Sequence, residues 1–252
     1  MNIQKYLERI DYHGALTPDL QALSHLQTAH MRAVPFENFS VYYKEPIRLD
    51  VEWLYHKIVG RNRGGFCYEL NGMFDWLLRS LGFDVTMISA GVSRESGGFG
   101  PEFDHMTLMV RLDEDYLVDV GFGDSFQTPL RINDRGEQTQ NGMSYQIKAE
   151  GEALILFEQN DRDENPSMQA QYRFTLTPRR MEEYENMCLY HQISPESSFT
   201  QKRVCSRATP NGRLTLSNLR FIVTENGVKN ERELSSESEF ELILLEYFNI
   251  RL

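Results

Sequence analysis

The chain has 252 residues, 40% hydrophobic and 12% aromatic, with 17 glycines and 9 prolines, which is enough apolar sequence for a sizeable core and excludes a collagen-like or disordered composition. A formal net charge of −11 argues against general nucleic-acid binding, which needs a basic face to displace counterions. Any polyanionic ligand must instead find a local nest of backbone N–H groups or a few arginines.

From the N-terminus, Ile3, Tyr6, Leu7 and Ile10 have helical spacing. The segment MNIQKYLERIDYHG lacks the apolar centre and cleavage site of a signal peptide, and no apolar run approaches the ~18 residues of a membrane span. Thr17-Pro18 reads as a capped start with Pro18 at the first helical position, continued by Leu20, Leu23, Leu26 and His30. VPFENFSVYY (34–43) breaks the pattern at Pro35, and Asp50 reads as the N-cap of a helix over 50–59. After Gly64-Gly65 comes the clearest helix: Leu70, Met73, Phe74, Leu77, Leu78 and Leu81 share one face, and Gly82 stands where a C′ glycine belongs.

From residue 83 the period changes to two. FDVTMISAGV, HMTLMVRL, YLVDVGF, SYQIKAE, ALILFEQ and YRFTLTP read as strands, with turn signals at Asp113-Glu114-Asp115 and Asn141-Gly142. A helix follows Pro178. Short strands then surround Asn211-Gly212 and Asn226-Gly227, and a last helix starts at Ser236, with Glu239 completing a capping box. The order predicts an α+β protein with a helical part (1–84), a β part (85–178) and a mixed α/β part (179–252) sharing a core. The three scattered cysteines are no disulfide framework, so the expected location is the cytoplasm.

The stretch RGGFCYELN (63–71) starts a helix on Cys67. Unpaired N–H groups and the positive end of the helix dipole would face the sulfur and favour thiolate over thiol. The glycines would let the backbone turn with positive φ and leave room for a substrate above the sulfur. The alternative is a small hydrophobe buried at a helix start, which is also the reading for Cys188 and Cys205. A thiolate needs a base, and the base an orienting carboxylate. Of the six histidines, His13, His25, His30, His56 and His191 lie in or beside helices as packed or solvated side chains. His105 opens the strand HMTLMVRL, and Asp119 lies between Val118 and Val120, where a carboxylate wants a partner. A hairpin turning at 113–115 sets Asp119 opposite Met109, about 13 Å along the strand from His105, so a bulge or strong curvature is expected to join them.

With these residues in view, the chain closely resembles the arylamine N-acetyltransferase family, bacterial type. RGGFC matches the family's Arg-Gly-Gly-x-Cys signature, HMTLMV supplies the matching His105, and DVGFG the matching Asp119. YLERIDYHG, VPFENFSV, LLRSLGFDV and PESSF extend the likeness almost end to end. The resemblance implies a helical bundle carrying the nucleophile, an antiparallel β-barrel carrying His105 and Asp119, and an α/β lid, with a core related to papain-like and transglutaminase-like cysteine enzymes. It implies acetyl-CoA-dependent N-acetylation of arylamines or arylhydrazines through an acetyl-cysteine, without a metal, nucleic acid or membrane. Phe36, Phe122 and Phe126 are the candidate amine wall. Gly97, Gly98 and Gly100 are candidates to cradle CoA phosphates, Tyr190 to lie near CoA, and Arg203, Arg207 or Arg251 to reach its phosphates. Backbone N–H groups of Cys67 or Tyr68 are candidate oxyanion donors. Some family members carry Arg and Tyr after DVGFG, where this chain has Asp124 and Phe126. The competing reading is a cysteine hydrolase or transglutaminase-like enzyme with the same triad.

Overall fold

A computed structural model describes residues 1–252. The helical part is built around Cys67–Ser80, in which every residue from Cys67 to Leu78 except Trp76 is buried. A helix apolar on nearly all sides belongs at the centre of a core. Leu70, Met73, Phe74, Leu77 and Leu78 are fully enclosed there by Ile3–Arg9, Leu20–Ala33 and Val51–Tyr55. The helix expected at Pro18 starts two residues later, because the Asp19 side chain, and not Thr17, accepts the Ala22 N–H (2.8 Å). Asp50 caps as expected, its side chain accepting the Trp53 N–H (2.9 Å). Past Tyr55 that helix widens into a π-turn, His56–Gly60.

Eight antiparallel strands form one curled sheet in the order Leu130–Arg131, Asp115–Val118, His105–Arg111, Asp84–Val92, Gln169–Phe174, Ala153–Asn160, Met143–Glu150, Gln138–Gln140. The period-two pattern places Met106, Leu108 and Val110 against the central helix, while Met109, Leu117 and Ile88 fill the barrel. The two short edge strands are nearly closed on each other by glutamine amides. Gln138 accepts from Arg131 N–H (2.8 Å) and donates to Arg131 C=O (3.0 Å). Gln140 accepts from the N–H groups of Gln127 and Thr128 and donates to Thr128 C=O. These side chains satisfy the edges that an open sheet exposes.

A second sheet has the order Phe36–Glu37, Val204–Thr209, Gly212–Ser217, Arg220–Glu225, Val228–Glu233. Its first strand comes from the helical part of the chain, from the segment that Pro35 interrupts. Asn141-Gly142 and Asn226-Gly227 turn with positive φ at both residues, as two-residue hairpins require. The turn expected at Asn211-Gly212 falls on Pro210-Asn211, since Gly212 is already paired and a Cβ there would lie 2.0 Å from the Thr224 carbonyl oxygen. The last helix, Glu237–Phe248, is capped by Ser236. The Glu239 carboxylate bonds the N–H of Ser235 (2.7 Å) and not that of the N-cap, so the capping box is half formed.

Candidate active site

Cys67, His105 and Asp119 meet at the end of the central helix. Asp119 Oδ2 lies 2.7 Å from His105 Nε2, and Cys67 lines the same cavity as His105, close enough to act on its pKa. No bulge joins His105 to Asp119. The hairpin turns at 112–114, one residue earlier than the acidic run suggests, and pairs Leu108 with Val118. The register therefore shifts by two, setting Asp119 opposite Thr107, diagonal to His105 on the same face. The two side chains span that diagonal, and the strand ends at Val118, freeing Asp119 to lean inward.

Asp119 is fully buried and accepts four donors: His105, Tyr172 Oη (3.2 Å), Asn71 Nδ2 (2.9 Å) and Gly121 N–H (2.9 Å). Burial alone would raise its carboxyl, but the His105 charge and these hydrogen bonds hold it below the usual carboxylate range. For His105 burial acts to lower the pKa. The Asp119 charge and hydrogen bond, with Cys67, outweigh it and raise the group to about 10. His105 thus favours its imidazolium form beside Cys67.

Asn71, one turn beyond Cys67, fastens helix to sheet. Its Nδ2 also donates to Met106 C=O (2.6 Å), and its Oδ1 accepts from Val120 N–H (3.0 Å). Gln27, fully buried, donates to Asp119 C=O (3.4 Å) and Phe126 C=O (3.1 Å). Both are polar residues at apolar helix positions, and that is their signal in the sequence. Gly121 permits the close approach, since a Cβ there would lie 2.7 Å from Cys67 Cα.

Gly64 and Gly65 have a different role from the one expected. Neither has positive φ. A Cβ on Gly64 would lie 1.9 Å from Pro35 C=O and one on Gly65 2.7 Å from the Glu69 side chain. Gly64 admits the 35–37 segment, whose Glu37 N–H donates to Gly65 C=O (2.9 Å), and Gly65 admits the Glu69 side chain. Two buried ion pairs clamp the loop: Arg63 on Glu37 (2.9 and 3.1 Å) and Lys57 on Glu69 (2.7 Å), with Glu69 also accepting Phe66 N–H. The N–H groups of Cys67 and Tyr68 have no protein acceptor, which leaves them available to an oxyanion.

A cavity of about 730 Å³ opens over the sulfur and is lined by Phe36, Phe122, Phe199, Met187 and Tyr190 as well as by Cys67 and His105. Phe122 packs edge-on to His105 (5.1 Å). Phe126 is not in this wall. It is fully buried in the barrel core beside Tyr145 (5.8 Å), because the chain past Gly123 turns inward. Asp124 points to the second sheet and binds Arg213 (2.7 Å). Of the glycines 97, 98 and 100, two spend their N–H groups within their own loop. Gly97 N–H donates to Arg94 C=O (2.9 Å) and Gly100 N–H to Val92 C=O (2.7 Å), while Gly97 and Gly98 lie outside the cavity lining. Arg203 is held by Glu237, Tyr43 and the Phe240 ring, and Arg207 by the carbonyls of Arg32 and Tyr247. Neither these two nor Arg251 lines the cavity. His191 does line it, although its helical position marked it only as a packed side chain. No helix is long and apolar enough to cross a membrane.

A family model described as N-acetyltransferase matches residues 19–252. Arylamine N-acetyltransferase 1 of Homo sapiens is 35% identical over 275 aligned positions, covering 100% of this chain and 95% of its own length. The pineal gland isozyme NAT-3 of Gallus gallus is 34% identical with the same coverage. Among solved structures, the arylamine N-acetyltransferase from M. tuberculosis superposes with a TM-score of 0.92 at 29% identity, over 99% of this chain and 94% of that one. The Mycobacterium marinum enzyme in complex with CoA does so with 0.91 at 28% identity, over 99% and 93%.

Proposed function

Since the chain belongs to the arylamine N-acetyltransferase family, a family of acyltransferases, we propose that it acetylates arylamines or arylhydrazines from acetyl-CoA in two steps through S-acetyl-Cys67. The observation that carries this reading is the buried His105–Asp119 pair set against Cys67 beneath an aromatic-walled cavity.

In the first step Cys67 Sγ, as a thiolate paired with the His105 imidazolium, attacks the thioester carbonyl carbon. The oxyanion is met by the free N–H groups of Cys67 and Tyr68. As the bond from carbon to CoA sulfur breaks, His105 gives its proton to the leaving thiolate and is left neutral. In the second step the amine lone pair attacks the acetyl carbon, and His105 takes the proton from nitrogen. The Sγ–C bond then breaks, which returns the ion pair and releases the N-acetyl product. Asp119 orients the ring and stabilises its charged form throughout. Phe36 and Phe122 hold the aryl ring, and Tyr190 lies on the CoA side.

A nucleophile opening a buried helix, packed on an antiparallel sheet that supplies the histidine and the carboxylate, is the core we relate to papain-like and transglutaminase-like enzymes. In this reading 1–84 brings the nucleophile, 85–178 its partners, and 179–252 the lid. Three free cysteines and a working thiol suit the reducing cytoplasm.

The test is mass spectrometry of the protein after acetyl-CoA and before any amine. One acetyl group on Cys67 is expected, and Cys67→Ala should neither gain it nor release CoA. A stoichiometric adduct on another residue would sink the mechanism.

A further inference from the structure

The cavity holds a second imidazole–carboxylate pair that the two acetyl-transfer steps do not use. His191, on the helix Glu185–Ile193, is only 7% exposed yet lines the cavity. Its Nδ1 lies 3.1 Å from Ser197 Oγ and its Nε2 3.3 Å from Asp104 Oδ1. The second approach is too bent for a hydrogen bond, so Nε2 is left without a partner. A buried polar nitrogen beside a cavity is costly until a ligand reaches and completes it. Asp104 Oδ2 accepts Val92 N–H (3.1 Å). Burial pushes the Asp104 carboxyl up, but His191 and that N–H bring it below its usual range, so a carboxylate faces the cavity.

His191 also ends the aromatic wall. Its ring stands 5.2 Å from Phe199, which stands 6.1 Å from Phe36. An aryl ring lying along that wall presents a substituent to the pair.

We propose that His191 and Asp104 determine acceptor specificity, favouring arylamines that carry a hydroxyl on the ring. A hydroxyl donates to Asp104 Oδ1 and accepts from His191 Nε2–H. An alkyl group leaves both polar groups unpaired, and a ring carboxylate meets the like charge of Asp104. Arg94, exposed at the rim and in no ion pair, is the competing attraction for an anionic acceptor.

The kinetic test rests on the acetyl transfer proposed above. It compares kcat/KM of the acetylated enzyme for 4-aminophenol and for 4-methylaniline, which are matched in size. Taking the ratio of variant to wild type cancels the intrinsic reactivity of each amine. His191→Leu should cut the hydroxyl preference by about tenfold. His191→Gln should keep most of the preference. Asp104→Asn should lower it while raising the rate with 4-aminobenzoate. Should His191→Leu fail to fold, the other two variants decide. A preference unchanged in the variants, equal losses on both amines, or a loss confined to CoA release overturns the proposal. A parallel arm needs no turnover: calorimetric binding of 4-hydroxyacetanilide against 4-methylacetanilide to the Cys67→Ala protein, with and without His191→Leu. If the wild type forms no acetyl-cysteine, the acetyl-transfer reading falls, and this arm still decides the role of His191.

Discussion

At the scale of single residues, the site depends on groups that never touch the substrate. Asn71 donates to Asp119 and to Met106 C=O while accepting from Val120. Asn71→Ala removes three hydrogen bonds in a buried place and is expected to cost about 2–4 kcal/mol. It should also lower kcat more than it raises KM, which steady-state kinetics alongside denaturant melts will show. The pH response follows from His105. Its pKa is higher in the folded chain, at about 10, than the ~6.5 of an unfolded chain. The native state therefore holds this proton more tightly, and the stabilisation is complete below ~6.5 and disappears as pH rises through 10. The melting temperature should fall over that window, and Asp119→Asn should flatten the fall. An unchanged slope in the variant would show that the pair does not set it. Residue types and the resemblance single out Cys67, His105 and Asp119, but not the partners of Asp119, because no spacing rule links Asn71, Tyr172 and Gly121 before the sheet is folded.

At the scale of elements, the loop before Cys67 is set by two buried ion pairs. Lys57→Met leaves Glu69 buried without its cation, and a loss of about 3–5 kcal/mol is expected, read by chemical denaturation. Because Glu69 also fixes Phe66 N–H (3.2 Å), CoA release in the first half-reaction should slow as well. Helices and hairpins with strong periodicity or Asn-Gly turns were readable along the chain. The register of the 105–118 hairpin was not, since Asp113, Glu114 and Asp115 are all acceptable turn residues and the outcome was decided by a pairing that buries Leu117 and Val118. The role given to Gly64 and Gly65 failed for a similar reason. A glycine forced by close approach looks, in sequence, like one forced by φ.

At the scale of the whole molecule, the barrel and the second sheet meet at Asp124 and Arg213, and Glu158 is half-buried in their field. Burial first, and the Asp124 charge next, push Glu158 up to about 7, against Arg213. An acid raised on folding makes the native state less favourable as pH climbs from its ordinary value toward 7. Glu158→Gln should therefore stabilise the protein at pH 8, on the order of 2 kcal/mol, and do little at pH 4. Equal melting shifts at the two values would rule this out. The edge strands Leu130–Arg131 and Gln138–Gln140 were not foreseen, because two- and three-residue strands carry no period, and neither was Phe36–Glu37.

That last strand has a consequence for the order of events during synthesis. Phe36–Glu37 pairs with Val204–Thr209, and Glu37 grips Arg63 four residues ahead of Cys67. A ribosome delivering about 5–20 residues per second therefore releases Cys67 many seconds before the strand that braces its loop exists. Until that strand emerges, Cys67 stands in a loop that lacks its brace.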